Sequence, residues 1–188
     1  MRGVSDSKWD DWFTVDLYED IGNRGSAWLT WAEALWQAAQ QVEAISRSVA
    51  LPDGTEVMPT TASVYAMLLG YALECTLKGL WVEGGRIIVA NGRYQGIDGV
   101  IDHQLLQLAK AVGIEASDDE FDVLNRLTPF IFYAGRYPVS RRFEDMKRRD
   151  VVGRGRTIPG FFAASDFAVA TNVFLRLRAQ LRYRTMQR

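Results

Sequence analysis

The chain has 188 residues, 48% hydrophobic and 24% charged, a length and composition that describe one globular domain with its own core and exclude a disordered or low-complexity polymer. Its only histidine, His103, and only cysteine, Cys75, exclude a multi-histidine metal centre, a structural zinc site and an internal disulfide. The formal net charge of −1 conceals an asymmetry, since residues 1–135 hold nine Lys/Arg against 19 Asp/Glu and residues 136–188 hold 13 against four.

The polar start, Met1 to Asp10, carries no apolar signal segment, and residues 1–24 read as an N-terminal extension. From Ser26 to Val49, apolar residues fall at Trp28, Trp31, Ala32, Leu35, Ala39, Val42, Ile45 and Val49, the three-and-four spacing of a helix with one buried stripe. Ser26 serves as its cap, and it is expected to run to Leu51, before the turn Pro52-Asp53-Gly54. Trp36 lies off that stripe, and three tryptophans exceed what one stripe needs, which points to packing of part of this helix against a second subunit.

After Pro59 and a Thr60-Thr61 cap the pattern resumes through Val64, Met67, Leu68, Tyr71, Ala72, Cys75 and Val82, until Gly84-Gly85 stops it. The apolar run Val64–Leu73 is interrupted by Glu74, short of the roughly 20 residues a bilayer crossing needs. Residues 84–102 form an insertion. Within it Arg86-Ile87-Ile88-Val89-Ala90 is a strand pattern and Asn91-Gly92 a two-residue hairpin turn. A short helix is expected from His103 to Val112, stopped by Gly113. Another runs from Asp118 to Tyr133, capped through Ser117 and the acidic run Asp118-Asp119-Glu120, with Pro129 bending or shortening it. Residues 136–160 read as an Arg-rich loop with a short helix near Arg142 to Arg149, and a last helix spans Ala164 to Arg182. The sum is an all-α antiparallel bundle of four to five helices with a small β-hairpin insertion.

No phosphate-binding Gly-x-x-x-x-Gly-Lys-Ser/Thr loop and no Gly-x-Gly-x-x-Gly fingerprint is present. The basic run holds Arg136, Arg141, Arg142, Lys147, Arg148, Arg149, Arg154 and Arg156. Guanidinium forks suit phosphate oxygens, yet the run equally suits an acidic protein surface, of this chain or another. Glu74 and Lys78 stand four apart on one helix face, a spacing that pairs them for a few tenths of a kcal/mol and that also allows Lys78 to meet a phosphate. His103 follows Asp102 at a helix start, where a histidine is a cap, a core hydrogen-bond donor or a base. In Tyr133-Ala134-Gly135-Arg136-Tyr137-Pro138, two aromatics flank an arginine at a helix end. They are placed to stack on a base while Arg136 meets a phosphate, or Arg136 bonds the last helical carbonyls.

Taken in order, Tyr71-Ala72-Leu73-Glu74-Cys75-Thr76-Leu77-Lys78-Gly79-Leu80, then Asp102-His103-Gln104-Leu105-Leu106-Gln107-Leu108, then Tyr133-Ala134-Gly135-Arg136-Tyr137-Pro138 resemble the HEPN domain family over about residues 62 to 140. The resemblance implies a helical bundle, frequent homodimerisation and a role in nucleotide or RNA transactions, often beside a nucleotidyltransferase in toxin and antitoxin pairs. HEPN ribonucleases carry an Arg four to six residues from a His, whereas the positions before His103 are Gly96, Ile97 and Asp98. The resemblance therefore leads to a non-catalytic, cytoplasmic protein without metal or cofactor, binding a nucleotide or RNA phosphate through Glu74, Lys78, His103, Tyr133, Arg136, Tyr137, Arg141 and Arg142. The alternatives are a homodimeric partner of a nucleotidyltransferase and a metal-independent ribonuclease with a rearranged site around His103.

Overall fold

Tyr65, Leu69, Leu73, Leu77 and Leu80 are all buried along helix α3 (Thr60–Glu83), which is too apolar to face water on any long side and so lies at the centre of the structure. A computed structural model describes residues 14–45, 49–50, 56–57, 60–140, 142–147, 149–151, 155–157 and 162–187. Around α3 stand α2 (Gly25–Glu43), α5 (Asp118–Pro129) and α6 (Ala164–Met186). Residue pairings fix their directions. Trp28 lies against Gly79 while Thr61 bonds the Ile45 carbonyl, so α2 and α3 run antiparallel. Trp36 stacks on Phe174 with ring centroids 5.0 Å apart and Glu33 pairs with Arg182, so α2 and α6 do too. Arg126 meets Asp166 and Glu120 meets Arg176, which sets α5 against α6. Tyr65 meets Thr171 and Gly79 meets Leu181, so α3 and α6 run parallel across the diagonal. This is an up-down-up-down bundle, the all-α architecture expected from the sequence. No helix among the described residues is long and apolar enough to cross a membrane.

Two shorter helices complete it. Helix α1 (Val15–Gly22), capped by Thr14, occupies part of the expected N-terminal extension; it is only two turns long and buries no residue completely. Helix α4 (Leu105–Val112) ends on Gly113 in the left-handed conformation at φ 75°, as the glycine predicts. Ser117 and Glu120 form a reciprocal capping box at the start of α5.

Among the described residues, three two-stranded antiparallel ladders join the helices. Strands β3 (Val89–Ala90) and β4 (Arg93–Tyr94) are the expected hairpin, with Asn91 and Gly92 at φ 54° and 67°, the positive values a tight two-residue turn requires. The Asn23 side chain serves this hairpin as a third edge: its Oδ1 accepts from the Ile88 and Val89 amides and its Nδ2 donates to the Val89 carbonyl. Strands β1 (Val49–Ala50) and β2 (Glu56–Val57) correct the expected run of α2 to Leu51. Past Glu43 the apolar residue Ile45 is exposed, so a further helical turn would bury nothing, and the turn residues Pro52-Asp53-Gly54 favour a ladder instead. Strands β5 (Arg149–Val151) and β6 (Gly155–Thr157) likewise replace part of the expected Arg-rich loop, and the short helix is one 3-10 turn, Phe143–Met146.

The buried face of α2 also differs from the expected stripe. Ala32, Trp36 and Ala39 are buried, whereas Trp31 is 66% exposed. The face is rotated because Trp36 reaches Phe174 across the bundle, a ring contact worth roughly 0.5–1.5 kcal/mol beyond its buried area.

Candidate functional site

Pro129 determines the geometry of the end of α5. Proline offers no N–H and its ring crowds the preceding turn. Beyond it Phe130–Ala134 winds as a π-helical turn, with the Gly135 amide bonding the Phe130 carbonyl five residues back at 3.1 Å. This turn lies directly on α3. A Cβ at Gly70 would come within 2.6 Å of Ile131, and one at Gly135 would collide with Met67, so both close approaches require glycine. The widened turn leaves carbonyls to satisfy. Arg136 folds back and donates through Nη2 to the Ile131 and Phe132 carbonyls, both at 3.0 Å, and Tyr71 from α3 donates to the same Ile131 oxygen at 3.3 Å.

His103 stands at this junction. Its backbone is left-handed at φ 71°, uncommon for a residue other than glycine, and places it before rather than within α4. Its ring meets Tyr71 and Phe132 edge-on, with centroids 5.7 and 5.6 Å away. Its Nδ1 lies 2.7 Å from Glu74 Oε2. Three stretches far apart in the chain, containing Tyr71 and Glu74, His103, and Phe132 with Arg136, thus converge on one imidazole.

Behind it sits a buried ammonium. Lys78 Nζ is 2.6 Å from Glu74 Oε1 and 3.1 Å from Asp102 Oδ1, and the Tyr94 hydroxyl donates to the same Asp102 oxygen at 2.8 Å. The Trp28 and Tyr94 rings flank it at 5.7 and 5.1 Å. Burial penalises the charge on Lys78, but the Glu74 carboxylate outweighs it and raises its pKa. Burial also pushes the Glu74 carboxyl up, yet His103 and Lys78 together bring it below its usual range; Asp102 is lowered in the same way by Tyr94 and Lys78. Burial, with Asp102, carries the Tyr94 phenol up to about 12 against the pull of Lys78. At neutral pH the cluster therefore holds two carboxylates and one ammonium.

The candidate residues read from the sequence sort clearly. Glu74, Lys78 and His103 are brought together, and Arg136 is linked to them through the turn whose Phe132 ring meets His103 and whose Ile131 carbonyl it shares with Tyr71. Lys78 is placed to hold Glu74 and Asp102, and its buried side chain is committed to these two carboxylates. Arg136 bonds the helical carbonyls, the capping role weighed for it, while its exposed guanidinium also lies over Tyr137 at 5.5 Å. Tyr133 is half-buried and donates to the Asp145 carbonyl at 3.4 Å, tying the 3-10 turn back to the end of α5. Tyr137 and Arg142 are exposed. Arg141 lies outside the described residues. Tyr94, Asp102, Trp28 and Phe132 were not singled out as site residues from the sequence. Asp102 adjoins His103, a signal in plain view, but nothing in sequence alone joins a hairpin tyrosine or an α2 tryptophan to Lys78. Among the described residues no group of three or more His, Cys, Asp and Glu could hold a metal ion.

No protein-family model matches the chain, and no match was found among curated proteins or solved structures.

Proposed function

We propose that this chain is a non-catalytic HEPN-like protein that binds the phosphate of a nucleotide or RNA at the His103 edge, beside the exposed guanidinium of Arg136. The observation that carries this reading is the meeting of the three stretches of resemblance: Glu74 and Tyr71, His103, and the Phe132–Arg136 turn share hydrogen bonds and ring contacts around one half-open imidazole. Arg136 uses one nitrogen for the helix end, and a guanidinium has further donors for an anion. Glu74 and Lys78 position the imidazole rather than touch the ligand. Tyr137, and Arg142 on the neighbouring turn, flank the approach. The absence of an Arg four to six residues before His103 supports the binding reading over a nuclease.

Titration of a labelled RNA and nucleotide panel at low salt tests this reading. Binding should weaken with added salt and fall at least tenfold in Arg136→Ala and His103→Ala. Absence of binding at low salt, or indifference to both substitutions, overturns it. RNA cleavage lost in His103→Ala would replace binding with a ribonuclease activity.

A second reading has its own observation. Tyr137, Val139, Phe143 and Met146 are exposed beside Arg136, Arg142 and Lys147, an apolar and cationic surface suited to an acidic protein partner such as a nucleotidyltransferase, or to a second copy of the chain. A stoichiometric protein partner that co-purifies without nucleic acid would favour it over the first.

A further inference from the structure

The contact between Glu74 and His103 decides which atom of the imidazole a ligand meets. Resting on the phosphate-binding reading above, we infer that the site takes up its anion together with a proton, because the neutral ring of His103 presents a hydrogen-bond acceptor at its open edge. An ionised carboxylate only accepts hydrogen bonds, so the 2.7 Å contact with Glu74 Oε2 puts the hydrogen on His103 Nδ1. The low pKa of Glu74 agrees with that state. A neutral imidazole carries a single N–H, which leaves Nε2 bare. Nε2 has no hydrogen-bond partner among the described residues, and the side chain is 37% exposed. A bare lone pair repels a phosphate oxygen. One proton from solvent turns the same atom into a cationic donor, with Nδ1 still held by Glu74 and no other bond changed.

The surroundings act in the same direction. From α3 the ring faces Glu74 and Tyr71, with Lys78 one turn on. From the segment before it comes Asp102, which Tyr94 hydrogen-bonds, and from the π-helical turn come Phe132 and the folded-back Arg136. Two carboxylates against one ammonium leave a negative charge beside the ring, which a protonated His103 cancels. Arg136 supplies a positive charge that does not titrate. An anion therefore meets a compensated cluster when His103 is charged and a repulsive one when it is neutral.

Calorimetric titration of the dinucleoside phosphate UpU into the full chain tests the coupling, because its phosphodiester charge is constant between about pH 5.5 and 8, where histidines titrate. Two buffers of different ionisation enthalpy read proton uptake alongside affinity. Towards the alkaline end of that range, affinity should fall with rising pH and uptake should approach one proton per ligand. His103→Gln keeps a neutral donor and should bind with no pH dependence and no uptake. Glu74→Gln can donate to Nδ1, which returns the hydrogen to Nε2, and should retain at about pH 8 the binding that the native chain loses. Because that substitution also removes a partner of Lys78, the proton count in the native chain is decisive. Equal affinity at both ends of the range without uptake overturns the coupling and leaves phosphate binding standing, whereas no UpU binding at any pH overturns both.

Discussion

Two ion clusters of the same make-up, one cation between two carboxylates, sit in this bundle and are used differently. Arg126 donates to Asp122 at 2.8 Å on its own helix and grips both oxygens of Asp166, Nη2 to Oδ1 at 3.0 Å; Asp166 is fully buried and also accepts from the Ala163 amide at the start of α6. Arg126 on α5 and the Ala163 amide at the start of α6 both hold it, so it acts as a staple between α5 and α6. The Lys78 cluster draws on α3, the hairpin and the loop before α4, and it adds a titratable fifth member, His103, that is open to solvent. The difference teaches that charge content alone does not single out a candidate site; at His103 it is an accessible ring nitrogen beside a buried ion pair that does so.

That contrast can be broken by substitution. The largest expected effect is from Asp166→Ala, which strips Arg126 of its bidentate partner and α6 of its cap; stability in urea should fall by about 3–5 kcal/mol. Ligand binding at His103 should be unchanged. Lys78→Met should cost roughly 2–4 kcal/mol because it leaves Glu74 and Asp102 facing each other without their shared cation. If Lys78 instead touched the ligand directly, the conservative Lys78→Arg would be expected to keep binding while losing little stability, and a large stability loss there would support the internal role.

A pH series sharpens the comparison further. Glu74 and Asp102 are lowered in the folded state, so the unfolded chain binds more protons and stability rises with pH through the acid range. Their contribution is fully present above about pH 5 and is lost as pH falls through their folded values. Urea midpoints between about pH 5 and 2 should show that loss, and Glu74→Gln should flatten the slope. The smallest effect is Tyr94→Phe, which removes one hydroxyl bridging Lys78 and Asp102; a drop of about 1 kcal/mol is expected. A drop several times larger would mean that the hairpin is held chiefly by this contact rather than by Asn23.

The helices α3 to α6 were legible because their signals are local: Gly113 and Ser117 sit where backbone geometry demands them, and Asn91-Gly92 adopts the turn its chemistry favours. Where structure and sequence pattern part, the causes are tertiary. Val49 continues the periodicity of α2 while its backbone joins a ladder, and Trp36 rather than Trp31 is buried because Phe174 supplies a partner that only folding provides. At the site, the Glu74–Lys78 pairing is readable from spacing. The approach of Tyr94 and Asp102 to Lys78 is not, since those residues reach it from 16 and 24 positions along the chain.

The π-helical turn after Pro129 amounts to one extra residue threaded into a helix. Deleting a single residue between Phe130 and Ala134 would let ordinary winding resume, so helical amides would take the Ile131 and Phe132 carbonyls and Arg136 would lose the two acceptors that fold it back. The place of that guanidinium thus hangs on a count of residues as much as on their identity.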